Sequence, residues 1–409
     1  MDLRGELIAL YRAVVEALSA ERLVREACGR GLAPRPKPGG RLVALGLGKV
    51  AAEMLDGARQ SLGEALEPLA IAVPRGTGQG RGLIEGGHPL PDEGSLRAGE
   101  ALLRAAASLR SQDAALLLLC GGGSALAEAP RPPLTLAEVR AVNDALLRSG
   151  APIEEMNCVR AHLSRLKGGG LARTLHAAGV REARALVLVD VPQGGAAAVS
   201  SGPAAADPTT FAQAREIVRR RAIELPAAAI RLLEVGDETL KPGEPADFIH
   251  HAMLCDLRAP AQAAARLSRT AARIGRLVRG PVEEIAREYA GAAAQPGLLA
   301  ASGEPELRVP AEAPAGGRSQ HLALLMAREL RGRKAAFLAA GTDGRDGPTA
   351  AAGASVDGDT WDEAERSGLR PDDALGRFDA SACLAALDAT IPSFRTGAHA
   401  GDLHLLLVP

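Results

Sequence analysis

Aromatic side chains are nearly missing: one Trp, two Tyr and five Phe supply 2% of 409 residues. So few ring faces offer no stacking platform for nucleic-acid bases. An excess of either charge is missing too. The chain carries 48 basic and 49 acidic side chains, net −1, which excludes broad attraction to nucleic acid or an anionic membrane. The five cysteines (Cys28, Cys120, Cys158, Cys255, Cys383) are odd in number and contain no C-x-x-C pair. Neither a disulfide framework nor a zinc site is suggested, and a reducing cytoplasm is the expected location. No apolar run reaches the ~18 residues of a membrane span. The first 20 residues are amphipathic, with Asp2, Glu6 and Glu16, and lack the basic and apolar regions of a secretion signal. A Gly-x-Ser-x-Gly elbow is absent, so a hydrolase triad has no anchor. There is no fixed-period repeat.

What the chain does have is glycine, 47 residues of it, in an otherwise ordinary globular composition of 47% hydrophobic and 24% charged residues. At roughly 150 residues per domain the length suggests two or three domains. Residues 1–30 keep one helical apolar period and read as a single helix, followed by the stiff Pro34, Pro36 and Pro38. Segments 41–45, 69–73, 115–120 and 185–191 are apolar runs without alternation and read as buried strands. Between and after them, 50–60, 95–110, 136–149, 156–166, 211–225 and 260–275 read as helices. Strands 307–309, 335–339 and 403–408 and helices 319–329 and 379–389 follow, beyond a small-residue connector at 291–297. The fold class is therefore α/β, in two domains of parallel or mixed sheets flanked by helices, with expected bounds 1–290 and 291–409.

The glycines cluster where strands end. The first strand runs into Gly46-Leu47-Gly48-Lys49, the 115–120 strand into Gly121-Gly122-Gly123-Ser124, and segment 335–339 into Gly341-Thr342-Asp343-Gly344-Arg345-Asp346-Gly347. Ligands of open α/β sheets bind outside the carboxyl ends of the strands, and glycine there lets backbone N–H groups reach phosphate oxygens. The plain alternative for each loop is a tight strand-to-helix turn. Gly46-Leu47-Gly48-Lys49-Val50-Ala51 formally matches G-x-G-x-x-A, but Val73-Pro74-Arg75 stands where a dinucleotide fold wants an acid. Lys49 is followed by Val50, so the loop is not a Walker A either. What remains is either an anion-binding lysine or a solvated one. Arg318, in Gly316-Gly317-Arg318, has a donor fork suited to phosphate or carboxylate. Asp190 ends a strand, where a carboxylate can accept a proton, hold magnesium or cap a helix. Asp207 reads as a turn cap and His88 as a structural loop histidine.

Taken in order, these motifs resemble one family. Gly46-Leu47-Gly48-Lys49, Gly86-Gly87-His88-Pro89-Leu90-Pro91-Asp92, Gly121-Gly122-Gly123-Ser124-Ala125-Leu126 and Asn157-Cys158-Val159-Arg160 are followed by His162-Leu163-Ser164-Arg165-Leu166-Lys167-Gly168-Gly169. Ser201-Gly202-Pro203, Asp207-Pro208-Thr209-Thr210-Phe211, Gly316-Gly317-Arg318 and Gly341-Thr342-Asp343-Gly344 complete the set. The chain resembles the glycerate 2-kinase family along nearly its whole length, with a Rossmann-like glycerate kinase domain before a C-terminal MOFRL domain. The resemblance implies an active-site cleft between domains and transfer of the ATP γ-phosphoryl group, with Mg2+, to the 2-hydroxyl of D-glycerate or a similar hydroxy acid. It implies catalytic roles for Lys49, Arg318 and Asp190, with Asp190 also the metal candidate. It implies substrate or phosphate binding by Gly46, Gly48, Gly122, Gly123, Ser124, Arg160, Lys167, Asp343 and Asp346. No nucleic-acid or membrane partner is implied, and a homodimer is the expected assembly. The chain departs from the family pattern in the Asp190 loop, after Arg318 in Ser319-Gln320-His321, and at Ala161. These departures leave open an alternative: a catalytically weakened relative that binds a nucleotide or hydroxy acid.

Overall fold

The computed structural model describes residues 2–78, 80–189, 195–310 and 312–409. They form two compact units, one of Ala20–Leu254 and one joining Met1–Ser19 to Cys255–Pro409. The packing thus divides the chain elsewhere than at the expected 290/291. The residues just after Leu254 go with the C-terminal unit, and so does the first helix.

The Ala20–Leu254 unit is built on strands β1 (Leu42–Leu47), β2 (Leu66–Pro74), β3 (Leu83–Gly86), β4 (Ala114–Leu119), β5 (Glu182–Leu188) and β6 (His250–Cys255). Their order is β3-β2-β1-β4-β5-β6, and the pairings from β3 through β5 are parallel. The continuous apolar runs are explained by this arrangement, since β1 and β4 are buried at every position. One face packs on helices Glu93–Ala107 and Gly170–Ala177 through Val43, Leu45, Leu117, Leu102 and Leu175.

The other unit is built on β7 (Ala272–Ile274), β8 (Val278–Pro281), β9 (Gly297–Glu306), β10 (Ala336–Gly341), β11 (Ala351–Asp357), β12 (Thr390–Pro392) and β13 (Asp402–Val408). The order is β12-β11-β10-β13-β9-β7, with β8 also on β9. The pairings from β12 to β9 are antiparallel, and β7 and β8 join β9 in parallel. Helices Val282–Ala292 and Arg318–Glu329 cover one face.

Three readings are corrected here. Residues 307–309 are not a strand; the strand is β9, just before them, which shares only Gly297 with the expected connector and whose Ala, Gly and Ser residues carry little β preference. The 260–275 helix stops at Leu267 and gives way to β7. The single helix over 1–30 is two, Leu3–Ala17 and Ala20–Gly29, broken at Leu18 and Ser19 with no glycine or proline to signal it. The first of them buries Leu7, Tyr11, Val14 and Val15, and Tyr11 donates its hydroxyl to the Gly341 carbonyl at 2.7 Å. That bond satisfies a buried phenol which would otherwise oppose folding. All five cysteines are buried thiols. No helix of the described residues is long and apolar enough to cross a membrane.

His404 on β13 is 1% exposed, with Nδ1 2.9 Å from the Tyr289 hydroxyl. Among the described residues its Nε2 has no hydrogen-bond partner. Burial lowers its pKa to about 4; nearby Asp402 opposes the shift and Arg318 adds to it. A folded-state value below the unfolded one makes the neutral ring the stabilising form. That contribution is complete above about pH 6.5 and is lost as pH falls through 4. The wild type should therefore lose about 3 kcal/mol more than His404→Leu between pH 7 and pH 4, measured as unfolding free energy by denaturant titration. An equal pH dependence in the two proteins would show that His404 does not titrate this way.

Candidate active site

The strand order of the Ala20–Leu254 unit reverses between β1 and β4, so the loops that leave their carboxyl ends run to opposite faces of the sheet. Lys49 follows β1. Its amide donates to the Gly121 carbonyl at 2.9 Å, which ties the two loops together. Its side chain then lies across Gly122, where a Cβ would stand 2.8 Å from Lys49 Cγ and 3.3 Å from His88 Cδ2. Gly122 also has φ +83°, so glycine serves this position twice over. Among the described residues the Lys49 ammonium makes no hydrogen bond or ion pair, and the amides of Gly121, Gly122, Gly123 and Ser124 donate none. A cation and a run of unused donors thus meet at the crossover. Of the other expected glycines, Gly46 lies inside β1 with its face against Leu118, and Gly48 packs on Cys120.

Behind the second loop runs a chain of side chains. The Ser124 and Ser201 hydroxyls are 2.6 Å apart, Ser201 donates to Asn157 Oδ1 at 2.9 Å, and Asn157 Nδ2 donates to the Ala198 carbonyl at 3.4 Å. Ser200 donates to the Cys120 carbonyl at 2.7 Å. Ser200, Ser201 and Gly202 all have positive φ, 53°, 59° and 62°. Left-handed backbone at two serines costs roughly 1 kcal/mol or more each, and such strain persists only where neighbours over-determine it. Here they do: the Gly168 and Gly169 amides donate to the Ser201 and Gly202 carbonyls at 3.0 and 2.7 Å.

Lys167, expected to bind substrate, is instead buried in an ion pair with Glu128, the two side chains only 2% and 3% exposed. Glu128 also accepts from Ser164 Oγ at 2.7 Å and from the Ala129 amide at 3.0 Å. Burial lowers the Lys167 pKa and the Glu128 charge opposes this. Arg160, on helix Ile153–His162, is lowered by burial in the same way, and its Nε lacks a hydrogen-bond partner among the described residues. Arg160, Lys167 and Asn143 all line one cavity of about 10 Å³.

Arg318, Asp343 and Asp346 belong to the other unit. Arg318 opens helix Arg318–Glu329, and its fork is filled. Nε and Nη2 donate to the two Asp402 oxygens at 2.7 and 3.1 Å, and Nη2 also reaches Glu304 at 3.3 Å. Burial alone would weaken its hold on the proton, but Asp402 and Glu304 more than offset that and raise its pKa. Asp346, another expected ligand, has both carboxylate oxygens occupied. It caps the same helix, accepting from the Ser319 and Gln320 amides at 3.0 and 2.8 Å and from Gln320 Nε2 at 2.9 Å. A Cβ on Gly317 would stand 2.1 Å from Asp346 Cγ, so the glycine before Arg318 is what lets the cap in. Burial and then the Asp402 charge push the Asp346 carboxyl up to about 6, against those donors. Asp343 is exposed and accepts from the Arg345 amide at 3.0 Å, a turn bond. Asp207 also holds a turn, as expected, accepting from the Thr209 amide at 2.9 Å. Asp190 lies outside the described residues. Among the described residues no group of three or more His, Cys, Asp or Glu could hold a metal ion.

Sequence reasoning gave no site role to Glu128, Glu304 or Asp402, and named Asn157 and Ser201 only as members of motifs. Asp402 had a signal: it opens a strand that is apolar but for His404, where a buried carboxylate needs a cation. Ser201 had a weaker one, in a Ser-Ser-Gly run at a turn.

The organisation is shared with known proteins. Residues 6–234 match the model of a family described as a domain of unknown function, DUF4147, and residues 297–402 match the MOFRL family. A relative from Agrobacterium vitis bearing the name hydroxypyruvate reductase is 34% identical over 98% of this chain and 94% of its own. A D-glycerate 2-kinase from Thermotoga maritima is 32% identical over 100% of this chain and 99% of its own. The crystal structure of a glycerate kinase from Thermotoga maritima superposes with a TM-score of 0.89, at 30% identity, covering 100% of both chains. Two α/β units, a glycine-lined crossover and these relatives define a phosphotransferase. The chain belongs to the glycerate 2-kinase family.

The buried Lys167–Glu128 pair generates a prediction. Lys167→Ala should cost about 3–5 kcal/mol of unfolding free energy, because it leaves Glu128 buried and uncompensated. The double replacement Lys167→Met with Glu128→Leu should recover most of that loss. A single variant as stable as the wild type in denaturant titration would mean that the pair is solvated and Lys167 is free to bind.

Proposed function

We propose that the protein transfers the γ-phosphoryl group of ATP to the 2-hydroxyl of D-glycerate. The kinase names of its relatives support the reaction. The observation that carries it to this chain is the Lys49 side chain lying over Gly122, in a loop whose four amides donate to no acceptor among the described residues. Phosphoryl transfer asks little covalent work of the protein and much positioning and charge compensation. Lys49 supplies a compact positive charge for the moving phosphoryl group, and the amides of Gly121 to Ser124 supply fixed dipoles for the substrate's carboxylate beside it.

Arg318 enters with its fork already held by Asp402 and Glu304, so we assign Lys49 the larger share of the electrostatic work. Any contact of Arg318 with a phosphoryl oxygen would use Nη1, whose contact with the Pro305 carbonyl is a long 3.5 Å. Asp190 keeps the role its motif implies, orienting the hydroxyl or holding magnesium, and that assignment rests on sequence alone.

A nicotinamide-dependent reduction is disfavoured by the end of β2. There a dinucleotide fold wants an acid, and here Arg75 donates from Nε to Asp92 at 2.8 Å. Purified protein with Mg-ATP and D-glycerate should release ADP and give a phosphoester at carbon 2 by phosphorus NMR. ADP at background level, or binding by calorimetry without turnover, would overturn the proposal. Lys49→Ala should lower kcat by about 10²–10³ (about 2.7–4 kcal/mol of barrier) with unchanged thermal stability. A loss below tenfold would remove Lys49 from its role.

A further inference from the structure

The hydrogen-bond chain behind the second loop has a fixed direction. It starts at the Ala198 carbonyl, which can only accept. That sets the Asn157 amide with Nδ2 toward Ala198 and Oδ1 toward Ser201. Ser201 has one proton and gives it to Asn157 Oδ1, so across the 2.6 Å contact it must accept from Ser124. Ser124 has then used its only proton. Its oxygen can still accept, and it cannot donate.

This reverses the role expected for Ser124. A phosphate or carboxylate oxygen needs donors, and the neighbouring Lys49 ammonium and four amides are donors. Ser124 Oγ is the odd member of the loop, an acceptor among donors. A ligand that fits this arrangement presents an anionic group to the amides and a hydroxyl beside it to Ser124. In a 2-hydroxy acid the hydroxyl adjacent to the carboxylate meets that description, and an oxo acid, which offers only an acceptor there, does not. Ser201 is 3% exposed and held rigidly on both sides, so the direction of the chain cannot relax when a different ligand enters.

We infer that Ser201 is a specificity-determining positioning residue, which through Ser124 makes the site select a substrate hydroxyl over a carbonyl at the carbon next to the carboxylate. The inference rests on the kinase reading for the identity of the substrate. It concerns a polarity that the hydrogen bonds set independently of turnover. A site built for an oxo group loses affinity for the matching alcohol, and the reverse, because one buried polar group is left unpaired.

The experiment is calorimetric titration of the full chain with two matched pairs, D-glycerate against hydroxypyruvate and D-lactate against pyruvate. The wild type should bind each hydroxy acid about tenfold or more tighter than its oxo partner. Ser201→Ala frees the Ser124 proton to point at the ligand, so the ratio should shrink by about fivefold or more, with the oxo acid gaining affinity. Ser201→Gly deletes the same hydroxyl and suits the positive φ, so it should give the same result in a second folded variant. Asn157→Asp keeps an acceptor for Ser201 and should preserve the preference, whereas Asn157→Leu should lose it. A folded Ser201→Gly protein with the wild-type ratio would overturn the inference, as would a wild type that does not discriminate within the pairs. Failure of the kinase reading shows separately, as absence of ADP release from a protein whose binding preference is intact.

Discussion

The organisation of the Ala20–Leu254 unit depends on how closely two strand ends approach. β1 and β4 lie side by side, and the turns that leave them come together until Lys49 donates its amide to Gly121 and lays its side chain over Gly122. No residue with a Cβ could occupy Gly122 without displacing that lysine. The loss of side-chain volume places an ammonium and a row of amides at one spot. The carbonyls of the same loop are turned inward, with Ser200 bound to Cys120 and Leu126 bound to Gly122.

That approach also explains why strain is stored where it is. Ser200 and Ser201 adopt left-handed backbone because the segment must pass beneath Gly123, where a Cβ would stand 2.2 Å from Ser200 Oγ. The clamp is provided by the Gly168 and Gly169 amides, and the turn that carries them is anchored in turn by Lys167 on Glu128. A residue expected to touch substrate thus acts one layer back. Its charge is spent on Glu128, which fixes the turn that fixes the serines. Burial of an ion pair is weak evidence for stability in itself. Here its effect is geometric, holding hydrogen-bond donors in register with carbonyls that the strained serines present.

Much of this was legible in the sequence. Unalternating apolar runs gave away the parallel sheet, because a strand buried on both faces has no polar side to show. Glycine clusters after those runs located the loops, and the place of Lys49 left it open between an anion ligand and a solvated lysine. Other features were not legible, for identifiable reasons. Half of β9 is Ala, Gly and Ser, whose preference for a strand is set by neighbours rather than by the residues themselves. The break between the first two helices carries no glycine or proline. Arg318 looked like a free phosphate ligand because its partners, Glu304 and Asp402, come from strands 14 and 84 residues away in sequence. Asp346 looked like a ligand because it sits in a glycine loop, whereas Gly317 opens the way for it to cap a helix.

The two units therefore treat charge in opposite ways. In the C-terminal unit every oxygen of Asp346 and Asp402 has a protein donor, and the end of helix Arg318–Glu329 is already occupied by a carboxylate of the chain itself. A second anion at that helix end would have to displace Asp346, whose raised pKa of about 6 shows that its charged form is tolerated with difficulty even there. In the Ala20–Leu254 unit the donors are left over. Four amides and one ammonium have no acceptor among the described residues, while the one hydroxyl beside them, on Ser124, has been turned into an acceptor by Ser201. Unused donors mark where a ligand's anionic group belongs, and the single reversed hydroxyl marks what must stand next to that group. The chemistry of the ligand is thus written in which protons the fold has left uncommitted, more than in which charged residues it contains.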